Sequence, residues 1–84
     1  MSGRARVGRA QQALLAAQEA NDDLTLGWAS LYKGWALNSL GHHEDAITTL
    51  NESALAFDRA AYVAGAAQAR SIATQAMHAA VEVE

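Results

Sequence analysis

The stretch Gly34-Trp35-Ala36-Leu37-Asn38-Ser39-Leu40-Gly41-His42-His43-Glu44-Asp45-Ala46-Ile47-Thr48-Thr49-Leu50 constrains the fold more than any other part of the chain. Two segments with helical spacing flank one short glycine turn. Small residues stand where two antiparallel helices have to touch. A hairpin of this kind cannot bury its apolar faces alone and completes its core only against further helices. The pattern therefore speaks of contacts between polypeptide segments before it speaks of chemistry.

Spacing extends the helical reading to the whole chain. Four helices are expected, over residues 5–20, 23–40, 43–59 and 62–81. Together they make an all-α fold of antiparallel hairpins, one domain over residues 1–84 or a piece of a longer array. Val7, Ala10, Leu14 and Ala17 form the stripe of the first helix. Asn21 suits its C-terminus and the aspartates that follow suit the next N-terminus. The second helix carries Leu24, Trp28, Leu31, Trp35 and Asn38 on one stripe, with Gly27, Gly34 and Leu37 beside it. Each interior glycine costs ~1 kcal/mol against alanine, a cost tolerated where another element comes close. Ala46, Ile47, Leu50, Ala54 and Phe57 mark the third helix. Val63, Ala66, Ala69, Ile72, Ala73, Ala76, Met77 and Ala80 mark the fourth, and the tail from Val81 is expected to fray.

Between the last two helices, Asp58-Arg59-Ala60-Ala61-Tyr62 contains neither glycine nor proline. The chain either turns near Ala61 or continues as one long helix. The long helix would have to find its core in a second copy, by domain swapping.

Composition narrows the function classes. Of the 84 residues 51% are hydrophobic, but 21 are alanine, which buries little area. A chain of this size buries only ~60–65% of its unfolded surface, so cover from a partner, most simply a second copy, is expected. The absence of cysteine excludes disulfides and thiolate metal sites and fits a cytoplasmic setting. No apolar run is long enough to span a membrane, and a net charge of −3 gives no reason to expect nucleic-acid binding. Arg4, Arg6 and Arg9 hold half of the basic residues and are read as a solvated helix face. His42-His43-Glu44 lacks the converging ligands that a metal requires, and no phosphate loop or nucleophile motif is present. No cofactor is indicated, and the chain reads as non-catalytic.

A shift of 40 residues partly overlays the chain on itself. Leu15 falls on Leu55, Ala29 on Ala69, Ala36 on Ala76 and Leu37 on Met77. The first helix is then the second half of one repeat, the second and third helices a complete repeat, and the fourth the start of another.

Gly34, Leu37, Gly41, Ala46, Leu50 and Ser53, in this order and spacing, resemble the tetratricopeptide repeat family. Residues 54–69 are similar to its ~40-residue variety, which is common in large bacterial ATP-dependent regulators. Ser30 stands where that family often has tryptophan, and Lys33 where it has leucine. The resemblance implies that the first helix of each hairpin lines a concave groove. Groove positions are then Trp28, Leu31, Trp35, Asn38 and Ser39 from one helix, and Gln68, Ser71, Gln75 and His78 from the next. Tryptophan anchors opposite amide groups suit a peptide or protein partner. The same indole stripe also suits core packing or self-association. A protein–protein interaction module is the function expected. A structural or engineered assembly piece with no ligand, and a regulatory domain of a bacterial transcription or signalling protein, are the alternatives.

Overall fold

The computed structural model describes residues 3–20 and 22–83, with side-chain surroundings for all of these but 16–20 and 83. Four helices follow one another: α1 (Gly3–Ala20), α2 (Asp23–Ser39), α3 (His43–Arg59) and α4 (Val63–Val83). There is no strand among the described residues. The helices begin at residues 3, 23, 43 and 63, so α1 and α3, like α2 and α4, start 40 residues apart. Asn21 and the side chain of Ala17 lie outside the described residues. α4 continues as helix to Val83, where the sequence pattern had the chain fraying from Val81.

Capping fixes these boundaries. Asp22 opens α2 by accepting the Thr25 backbone N–H at 3.2 Å and the Thr25 hydroxyl at 2.6 Å. At the end of α2, Gly41 takes φ +86°. The His42 N–H reaches back to the Leu37 carbonyl at 2.9 Å and the Gly41 N–H to that of Asn38 at 3.1 Å. This is the Schellman closure of a helix C-terminus.

The chain makes the same closure again after α3, so the uninterrupted helix does not form. The Tyr62 N–H bonds the Phe57 carbonyl at 2.9 Å and the Ala61 N–H that of Asp58 at 3.0 Å. The left-handed position, φ +58°, is held here by Ala61 rather than glycine.

Each helix packs on its neighbour in sequence, and α2 also meets α4, while among the described residues α1 packs against α2 alone. The core is built around α3. Phe57 and Leu50 are fully buried, and each projects into a space left by a glycine of α2. A Cβ on Gly27 would lie 2.7 Å from the Phe57 ring, and one on Gly34 2.5 Å from Leu50 Cγ. The small positions of α2 thus receive side chains of α3, and the Ala46 carbonyl oxygen would lie 3.4 Å from a Cβ on Gly34. Gly65 does the same for Phe57 from α4. The buried Ser53 hydroxyl donates to the Gly27 carbonyl at 2.6 Å and ties the two helices together. Ala54, Ala66, Ala69, Ala73 and Ala76 line the α3–α4 seam. Val63 and Met77 of the α4 stripe are exposed, at 79% and 46%.

Candidate interaction surface

The stripe Trp28–Leu31–Trp35 divides. Leu31 is 1% exposed, packed with Ala54, Phe57, Ala66 and Ala69. It is a core residue and not part of a groove, because α3 and α4 close over that side of α2. Trp35 is 54% exposed. Trp28 is intermediate: its ring sits edge-on to Phe57 at 5.1 Å between centroids, stacks on Tyr32 at 6.1 Å and tilts against Tyr62 at 5.9 Å. Phe57, wedged between Gly27 and Gly65, therefore supports the indole from beneath.

The result is an aromatic face made of Trp28, Tyr32 and Trp35 on α2, flanked by Tyr62 from the α3–α4 turn. Tyr32 and Tyr62 are 53% and 40% exposed. Neither was among the groove positions read from the sequence. Tyr32 is four residues beyond Trp28 and so on the same helix face. Tyr62 depends on the turn at Ala61.

Asn38 is half-buried and not presented to a ligand: the Nδ1–H of His43 donates to its Oδ1 at 2.6 Å, which pins the end of α2 to the start of α3. Ser39 is exposed, its hydroxyl bonded to the Trp35 carbonyl at 3.1 Å. Gln68, Ser71, Gln75 and His78 are all exposed on α4. Gln68 and Gln75 occupy in α4 the places of Trp28 and Trp35 in α2, 40 residues on. Ser71 and His78 stand where Leu31 and Asn38 do. None of the nine residues named as groove positions on the two helices is a carboxylate, a lysine or an arginine, so the surface is rich in neutral hydrogen-bonding groups.

A second cleft, about 190 Å³, opens beside α1 and is lined by Leu14, Leu26, Ser30, Glu52, Leu55 and Arg59. Ser30 is 1% exposed and its hydroxyl has no hydrogen-bond partner among the described residues. The two interior arginines are solvated: Arg59 pairs with Asp23 at 2.9 Å, and Arg70 with Asp58. Among the described residues no three histidine or carboxylate side chains converge, and no helix is long and apolar enough to cross a membrane.

No family model, curated protein or solved structure matches this chain at a significant level.

Proposed function

We propose that the chain is a non-catalytic, tetratricopeptide-like interaction module of the cytoplasm, and that the Trp28–Tyr32–Trp35 face of α2 binds an extended segment of another protein. The observation that carries this reading is Trp35, an indole left 54% exposed on a capped helix beside a stacked Trp28–Tyr32 pair. Aromatic side chains on a rigid element offer large contact area at little cost in side-chain entropy. Tryptophan and tyrosine are also the residues most often found to dominate binding energy.

Gln68 and Gln75 suit the remainder of the task. Their amides donate and accept, as the backbone of an extended segment requires. With no carboxylate or ammonium on the face, the segment it suits presents apolar side chains and bare backbone rather than a charge cluster. The tetratricopeptide resemblance supports the same surface, since it implies that α2 and α4 line the groove. Its departure at Ser30 has a physical counterpart in the cleft above that residue, where a tryptophan would occupy the open volume.

The test is peptide selection from a random displayed library, followed by titration with tryptophan emission as the readout. Both tryptophans of the chain lie on the proposed surface. A selected peptide is expected to shift the emission, and Trp35→Ala to weaken its binding by about 30-fold, the ~2 kcal/mol of a hot-spot residue. Peptides that bind Trp35→Ala as tightly as the unaltered protein would overturn the reading.

A further inference from the structure

We propose that copies of this chain stack head to tail, with the uncovered face of α4 in one copy docking the uncovered face of α1 in the next. This contact does not involve Trp28, Tyr32 or Trp35, although its cleft shares Gln75 with the surface proposed for the peptide.

α2 covers its Gly27, Leu31, Gly34, Leu37 and Asn38 side with α3. Forty residues on, α4 presents Ala67, Ser71, Thr74, Met77 and His78, and all five are exposed. An open cleft of about 490 Å³ runs along this side, lined by Ser71, Thr74, Gln75, His78, Ala79 and Glu82. α4 thus carries the half of a helical hairpin that α2 has already used.

α1 carries the complementary half. The residues of α3 that meet α2 include Ala46, Leu50 and Ser53. Forty residues earlier stand Arg6, Ala10 and Ala13, of which Arg6 and Ala13 are exposed. Packing α1 on the α4 of a neighbouring copy therefore repeats the α2–α3 pairing.

Charge selects a second copy as the occupant. In the antiparallel α2–α3 hairpin the end of one helix meets the start of the next, as the Asn38–His43 hydrogen bond shows. Transposed to α4 and the next α1, Glu82 comes to Arg4 and Arg6. The sequence is polarised for that contact: it has no acidic residue before Glu19 and no lysine or arginine after Arg70. Both complementary surfaces belong to one chain, so the contact is heterologous and each copy keeps one face of each kind for the next.

Sedimentation equilibrium tests this on the full 84-residue chain and on two variants, Ala67→Arg in α4 and Ala13→Arg in α1. Both positions are exposed, and circular dichroism confirms that each variant folds. The unaltered protein is expected to exceed the mass of a dimer as concentration rises from micromolar to millimolar, and to shift back towards monomer as salt screens the Arg4–Arg6–Glu82 attraction. Each variant alone is expected to remain monomeric. Their equimolar mixture is expected to form a one-to-one dimer, through the intact α4 face of one and the intact α1 face of the other. A monomeric unaltered protein, a monomeric mixture, or an assembly abolished by Trp35→Ala and untouched by the arginine variants would each overturn the proposal. Trp35→Ala separates the two readings, since it is expected to weaken peptide binding about 30-fold and leave stacking in place.

Discussion

At the scale of single residues, Ala61 is the most costly position. A Cβ in the left-handed region costs roughly 1–2 kcal/mol, and Ala61 holds φ +58° there. The turn forms because its other contacts outweigh that cost. Two backbone hydrogen bonds close it, and the rings of Phe57 and Tyr62 meet across it with centroids 5.6 Å apart. That pairing, from the third-last helical residue to the second residue past the cap, is the apolar contact that accompanies such closures. It was the one signal in the sequence that separated a turn from a continuous helix; the missing glycine masked it. Ala61→Gly is expected to stabilise the fold by about 0.5–1 kcal/mol, the relief of left-handed strain less the extra freedom of glycine in the unfolded chain. Equilibrium denaturation measures it, and unchanged stability would mean that the turn carries no strain. Gly27→Ala goes the other way. Its helix-propensity gain of ~1 kcal/mol is outweighed by a Cβ 2.7 Å from the buried Phe57 ring, and a net loss of about 1–3 kcal/mol is expected in the same measurement.

At the scale of elements, the helices and their period were legible because spacing, caps and the Gly41 stop agree with one another. What was not legible is which arc of α2 stays open. Leu31 and Trp35 lie on one stripe in the sequence, yet one is in the core and the other is half in solvent. The difference arises because α3 and α4 close over the Leu31 side, and their angular position is set by the Gly27 and Gly34 spaces rather than by the stripe. The same limit applies to Asn38, whose partner His43 belongs to the next element. The start of α2 offers a prediction in pH. The Thr25 hydroxyl, and then the Thr25 backbone N–H, hold the Asp22 carboxyl below its ordinary value of 3.8. A carboxyl depressed in the folded state stabilises it above the unfolded value and loses that contribution as pH falls through the folded one. Thermal melts between neutrality and strong acid are expected to show this loss below about pH 4. In Asp22→Asn, which keeps a capping side chain without a titrating group, this part of the acid sensitivity should disappear. An identical acid profile for the two proteins would remove Asp22 from the cause.

At the scale of the molecule, cover is unevenly distributed. The helices form a slab of 38 × 26 × 17 Å in which α2 and α3 are each packed from more than one side, whereas among the described residues α1 rests on α2 alone. Ala10 and Leu14 are its buried anchors among the residues whose surroundings are described. Among the described residues α1 meets one neighbouring helix where α3 meets two, so α1 is the helix expected to detach at least cost. Local opening of this kind is read by native-state hydrogen exchange, in which segments with few apolar contacts exchange below the global unfolding free energy. The amides of α1 are expected to exchange first and as a group, while those in the middle of α2 and α3 exchange only with global unfolding. Stacking adds a second condition. When α1 packs on the α4 of another copy it gains a second neighbour, and by mass action its protection should rise with protein concentration. That rise should be absent from Ala13→Arg and from Ala67→Arg, each of which lacks one of the two faces that make the contact. Protection in α1 that equals that of α3 at low concentration would show that α2 alone holds the helix, and that cover from a second copy is not what completes this fold.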